Sequence, residues 1–293
     1  QDELKGCRSH PYAWIAQSSA ESSCAMGTAT ACCSKAERAP ADGTLGAFVP
    51  QEAAKKKAAA ADGAEDGKHE KMFPDGSRYW GEFRTGEKHG QGKFTYPDGD
   101  EYDGEWQAGK ANGRGIYRSK QSKYEGEWQN DLKHGQAAEQ WEDSSKYAGF
   151  YFNGQKHGKG HFEWPDGSIY DGEFRNNNVE GEGIFTWHDG RCYNGQWSDN
   201  RMHGEGKYEW PDPETGWSKV YEGQYVNDLK DGQGVFKWKD GRRFDGQWKD
   251  GKQHGAGAFV TAQGETRPGE WREGVRVAFA EKREKKEFKD ELA

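Results

Sequence analysis

A tandem repeat of about 23 residues constrains this chain more than any other feature. Segments beginning at Tyr79, Tyr102, Tyr124, Tyr147, Tyr170, Tyr193, Tyr221 and Phe244 follow one another at steps of 23, 22, 23, 23, 23, 28 and 23 residues. Each opens Y-x-G-x-W/F/Y, as in Tyr79-Gly81-Phe83, Tyr102-Gly104-Trp106 and Phe244-Gly246-Trp248. Eleven and thirteen residues in comes a glycine pair, such as Gly90/Gly92, Gly181/Gly183 and Gly255/Gly257. Aromatics at alternate positions then follow: Phe94/Tyr96, Phe162/Trp164, Phe185/Trp187, Tyr208/Trp210 and Phe236/Trp238. Alternation with period two means strands, with one face carrying the rings and glycines.

The turns fall where that reading needs them. The seventh residue after each leading aromatic is Gly86, Gly109, Asp131, Gly154, Asn177, Asn200, Asp228 or Gly251. Only glycine, asparagine and aspartate occur there, the residues that best tolerate positive φ. A second junction usually reads Asp-Gly, as at Asp75-Gly76, Asp98-Gly99, Asp166-Gly167, Asp189-Gly190 and Asp240-Gly241, a strong hairpin signal. Each unit is therefore strand, turn, strand, turn. Stacked in sequence, some 17 strands about 4.8 Å apart would make a ribbon roughly 80 Å long. Glycines on the aromatic face leave slots for neighbouring rings.

Composition agrees. Leu, Ile, Val and Phe together supply only 31 residues, while 13 Trp and 13 Tyr carry the apolar load. A fraction of aliphatics and Phe that low would by itself suggest disorder, so the rings must be buried against glycine. A large α/β enzyme core is not expected. The formal net charge of −8 argues against nucleic acid as the main partner. No run of about 20 apolar residues is present, and no apolar h-region stands near Gln1. A start on Gln1 implies processing or incomplete translation. Lys289-Asp290-Glu291-Leu292 is followed by Ala293, so it is not read as an ER-retention signal.

These residues resemble the MORN repeat family, whose consensus runs YxGxWxxGxxHGxGxxxxxxG. The resemblance recurs eight times over about 210 residues, with half-repeats at Phe73-Pro74-Asp75-Gly76 and Gly269-Glu270-Trp271. It implies an all-β fold: an elongated, single-layer antiparallel β-hairpin meander. Three regions are expected. Residues 1–66 form an N-terminal arm, flexible or partner-bound; residues 67–277 form the array; residues 278–293 form a short, charged C-terminal helix that caps the last hairpin. Two units depart from the pattern. The third has Ala137 for its second glycine, Glu139 for an aromatic and Asp143-Ser144-Ser145 for Asp-Gly, which suggests a weakened ladder. The sixth has five extra residues around Pro211-Asp212-Pro213-Glu214-Thr215-Gly216-Trp217. Both are places to expect a bend or a partner-specific contact.

Most candidate chemistry falls away on spacing. His89, His134, His157, His203 and His254 share one repeat position. Equivalent positions lie two strands apart, roughly 10 Å, whereas zinc ligands must each lie about 2.1 Å from one ion. The G-x-G segments lie in strands with no helix N-terminus behind them to hold a phosphate. Glu82, Glu105, Glu127, Glu173 and Glu270 line up after the repeat glycine, either as a solvated face or as an acidic stripe for a basic partner. No nucleophile–base constellation is confined to one repeat. No catalytic residue, metal site or cofactor is assigned, and the chain is not expected to be an enzyme.

The aromatic face is the candidate binding surface. Tyr79, Tyr102, Trp106, Tyr124, Trp128, Tyr147, Tyr170, Tyr193, Trp197, Tyr221 and Trp248 offer a continuous groove for an extended or helical peptide, even though most single rings must pack on one another. The family resemblance implies a protein-binding and membrane-associated scaffold. Alternatives are a regulatory or targeting subunit of a separate enzyme such as a lipid kinase, or a structural subunit of a ciliary, radial-spoke-like or organellar assembly. Cytoplasmic localisation with membrane or cytoskeletal attachment is expected; the oligomeric state is not fixed by the sequence.

The arm holds four of the five cysteines, Cys7, Cys24, Cys32 and Cys33, in no zinc-like spacing. Met26-Gly27-Thr28-Ala29-Thr30-Ala31-Cys32-Cys33 looks like a dual-acylation N-terminus, with myristate on Gly27 and palmitate on Cys32 and Cys33. Two lipids hold where one does not. Ala31 stands where serine or threonine is preferred, and an unmodified arm is the competing reading.

Overall fold

The computed structural model describes residues 66–279. Within them 19 antiparallel strands, numbered β1 (Gly67–Met72) to β19 (Val275–Phe279), form one open sheet in which each strand pairs with its chain neighbours. There is neither a second sheet nor a helix among the described residues. Ala278 and Phe279, expected to begin a capping helix, instead complete the last hairpin, paired to Glu270 and Gly269. Backbone pairing with β18 (Thr266–Arg272) takes the hydrogen bonds a helix would have needed. The rest of the expected helix, residues 280–293, lies outside the described residues, as do the arm and Gly27, Cys32 and Cys33.

The tight turn within each repeat has two left-handed residues. Besides Gly86, Asp131 and their equivalents, the preceding residue also has φ near +50°, as in Thr85 (50°), Ala108 (50°) and Asn130 (52°). This is the double positive φ of a type I′ turn, whose twist matches that of the strands it joins. The sequence pattern exposed only its second member. The Asp-Gly junctions are built differently. Phe73 N–H donates to Ser77 O and Gly76 N–H to Phe73 O, and in this turn φ is positive at Gly76 alone. A type I turn over Pro74-Asp75 thus ends in a left-handed glycine.

The third repeat keeps this turn, with Ser144 N–H donating to Trp141 O and Ser144 itself at φ 75°. Its ladder is not weakened. β6 (Ser122–Gln129) and β7 (Leu132–Trp141) pair from Ser122↔Trp141 through to Gln129↔Leu132, and Ala137 fits opposite Gly126 and Gly149. The sixth-repeat insertion lengthens β13 (Arg201–Pro211) and β14 (Ser218–Val226) and closes in a loop where Asp212 Oδ1 accepts from Glu214 N–H.

Candidate functional site

The two glycines of each G-x-G pair serve separate purposes. The first, at φ between 55° and 94° in Gly90, Gly113 and their equivalents, sits in a β-bulge. In the hairpin beginning at Tyr102, for example, Gly104 pairs with Gly115 but Trp106 already pairs with Ala111, so the second strand carries extra residues. The second glycine lies beneath the leading tyrosine. A Cβ on Gly92 would run into the Tyr79 ring and hydroxyl, and one on the facing Gly81 would stand 2.5 Å from Gly92 Cα, so neither position has room for a side chain.

The bulge creates the tyrosine's partner. It turns the carbonyl three residues after the tyrosine out of the ladder, and the phenol donates to it. Tyr79 donates to Glu82 O (3.0 Å), Tyr102 to Glu105 O (3.0 Å), Tyr124 to Glu127 O (2.8 Å) and Tyr147 to Phe150 O (2.9 Å). Tyr170, Tyr193 and Tyr221 repeat the bond to Glu173, Gln196 and Gln224. Burial pushes the phenols up, to about 12 in Tyr79.

The same bulge settles the row of glutamates. Glu82, Glu105, Glu127 and Glu173 fold back over the left-handed glycine, and two of them accept the backbone N–H beyond it, Glu105 from Arg114 (3.1 Å) and Glu127 from Gln136 (3.3 Å). Gln196, Gln224 and Gln247 make the same bond to Glu205, Gln233 and Ala256. An amide serves as well as a carboxylate, so the row caps the bulge and forms no continuous acidic stripe. Phe150 is the exception: it has no acceptor and is exposed.

All eleven residues expected to line the groove are brought to one face, and all are buried. Together with Phe83, Tyr151, Phe174, Tyr225, Phe244 and Trp271 they form an unbroken zipper of edge-on contacts. Each leading ring meets the ring four residues later and its equivalent in the next repeat: Tyr102 lies 5.0 Å from Trp106 and 5.2 Å from Trp128, and Tyr221 lies 5.2 Å from both Tyr225 and Trp248. Such pairs contribute roughly 0.5–1.5 kcal/mol each beyond burial. Four indoles also donate to a glycine carbonyl of the preceding repeat, Trp106 to Gly92 O (2.8 Å), Trp128 to Gly115 O, Trp197 to Gly183 O and Trp248 to Gly234 O. These rings are the floor.

The surface a partner could touch is a second strip, distinct from the leading aromatics. Phe94, Tyr96, Tyr117, Trp141, Trp164, Trp210, Phe236, Trp238 and Phe259 are only partly buried and pack on the floor. Their signal in the sequence is the alternating aromatics late in each unit. At the repeat position held by Phe94, Tyr117, Phe162, Phe185, Tyr208, Phe236 and Phe259, the one non-aromatic residue is Glu139. That carboxylate is buried, pairs with Lys133 Nζ (2.5 Å) and accepts from the Tyr151 hydroxyl (2.6 Å). The third repeat's departure is therefore a polar break in the groove.

The profile of the MORN repeat family matches eight consecutive segments, 79–101, 102–121, 124–146, 147–169, 170–190, 193–212, 221–242 and 244–266. This chain belongs to the MORN repeat family. No curated protein matches it. Among solved structures, the MORN array is similar to the SAS-4 (dCPAP) TCP domain of Drosophila melanogaster, solved in complex with a proline-rich motif of Ana2 (dSTIL). The identity is 9% and the TM-score 0.30, over 73% of this chain and 96% of that one.

Proposed function

We propose that this MORN protein is a non-catalytic scaffold that binds a protein partner along the aromatic face. The observation that carries this reading is the half-buried strip from Phe94 to Phe259, which is aromatic, lies above a fully packed floor and has no second layer over it among the described residues. A single-layer sheet must cover such a strip or leave it as an interaction surface. Attachment of the chain to a membrane or cytoskeletal structure is assigned to the arm, through Gly27, Cys32 and Cys33, and is tested by mass spectrometry of the native N-terminus; an unmodified Gly27 would contradict it.

The binding reading is tested by proximity labelling with the full chain and with a Trp164→Ser/Trp238→Ser variant, whose two changes lie in the strip and leave the floor intact. A set of neighbours lost in the variant is the expected result. An unchanged set would contradict a partner seated on this face.

A further inference from the structure

Two of the cations in the groove have no counter-ion among the described residues. The ninth residue after the leading aromatic faces the rings, and in four repeats it is lysine: Lys88, Lys133, Lys156 and Lys230. The alternatives at that position are Ala111, Val179, Met202 and Gln253, so the lysine is not required by the hairpin. Lys88 Nζ lies 3.8 Å above the Trp106 ring and 4.1 Å above Phe94. Lys230 Nζ stands 5.0 Å from Trp210 and 5.2 Å from Trp248. Glu139, the carboxylate set within the strip, is taken by Lys133 and its charge also acts on Lys156. Lys88 feels only Asp131 at a distance, and no carboxylate acts on Lys230. Neither ammonium has an ion pair or a hydrogen bond among the described residues.

The opposite face is arranged differently. There Lys93 pairs with Glu101, Lys123 with Glu125, Lys146 with Glu163 and Lys207 with Glu209. These four lysines outside the groove each meet a carboxylate, whereas Lys88 and Lys230 within it do not, in a chain whose net charge is −8. Burial lowers Lys88 and Lys230 to about 8, so both still carry their charge at neutral pH.

We infer that the groove's partner is an acidic polypeptide segment whose carboxylates meet Lys88 and Lys230 while its apolar side chains lie on the aromatic strip. This rests on the proposed use of the aromatic face. A peptide is favoured over an anionic bilayer because the ammonium groups are recessed among rings, where a side chain can reach and a flat headgroup surface cannot. An acid placed there would meet a partly desolvated cation, where a charge pair is worth more than at an exposed site.

The test uses the full chain and three versions of one proline-spaced leucine peptide, with its polar positions filled by glutamate, glutamine or lysine. Affinity is read by tryptophan fluorescence. The glutamate version should bind at least about tenfold more tightly than the glutamine version, and the lysine version should not bind. In Lys88→Met/Lys230→Met that preference should disappear while the glutamine version binds as before. Methionine already fills the position in Met202. Lys88→Gln/Lys230→Gln, which places at both sites the residue already present at Gln253, provides a second variant with the same expected loss. Lys159→Met, on the opposite face, should keep the preference. Equal binding of the glutamate and glutamine versions would overturn the charge assignment and leave the groove reading standing. Failure of all three would count against the groove itself. Binding to phosphatidylserine vesicles that is lost in the double variant, with no peptide preference, would assign the cations to lipid headgroups and overturn the peptide.

Discussion

Each leading tyrosine combines three requirements in one side chain. Its ring fills the slot above two glycines, its edges meet two neighbouring rings, and its hydroxyl satisfies the carbonyl that the bulge displaces. Tyr193→Phe should therefore cost about 1 kcal/mol in urea unfolding, the usual worth of a hydrogen bond lost from a buried acceptor. Tyr225 is the internal contrast: its hydroxyl is buried with no hydrogen-bond partner among the described residues. Tyr225→Phe should cost nothing measurable or raise stability, and a loss comparable to that of Tyr193→Phe would contradict this account. Ser144 holds a left-handed conformation that its equivalents in other repeats give to glycine. Ser144→Gly should add about 1 kcal/mol, seen as a higher melting temperature.

Two classes of buried group pull in opposite directions with pH. Lys230 is lowered to about 8 in the folded chain, below its unfolded value of 10.5, so the unfolded chain binds more protons between those values. Its burial penalty is complete below pH 8 and is lifted as pH rises towards 10.5. Tyr79 and Tyr96 are raised to about 12, so their contribution is complete below pH 10 and is lost as pH climbs towards 12. Thermal stability followed upward from pH 8 should show a smaller rise in Lys230→Met than in the native chain. Identical profiles up to pH 10 would contradict the burial of this ammonium.

At the scale of the hairpin, the sequence is legible because its punctuation is chemical. Period-two aromatics and turn glycines mark the strands and where they end. What stays hidden are features that need a partner strand to exist. The bulge cannot be seen until Gly104 is set opposite Gly115, and without it the glutamate row looks like a charged stripe. The left-handed Thr85 and Ala108 are invisible to propensity because the tight turn imposes them. Ala278 and Phe279 read as the start of a helix on propensity alone, which takes no account of the open edge of β18 that recruits them. The capped bulge yields an element-scale expectation. Glu105→Gln should be nearly neutral and Glu105→Ala should cost about 1 kcal/mol, because the bulge needs an acceptor and not a charge. Equal losses in both variants would restore a role for the charge.

Across the whole array, every repeat touches chiefly its neighbours, and cohesion comes from one zipper of rings running from Phe83 to Trp271. Stability in such a system is roughly a sum of unit and interface contributions. The sequence points to the aromatic face as a binding surface, and the eleven residues expected to line it form its floor. A partner would meet the later strip, the polar break at Glu139 and the lysines between the rings. Sequence alone cannot separate floor from strip, since both are aromatic at alternate positions and only packing across strands divides them.

The most direct test is site-specific photo-cross-linking in the source cell. A benzoylphenylalanine is placed at Trp164 or Trp238 on the strip and, in separate chains, at Trp80 on the opposite face, where the side chain is exposed. Discrete protein adducts are expected from the two strip positions, and none of the same adducts from Trp80. Adducts formed from Trp80 alone, or shared equally by both faces, would contradict a partner seated in the aromatic groove.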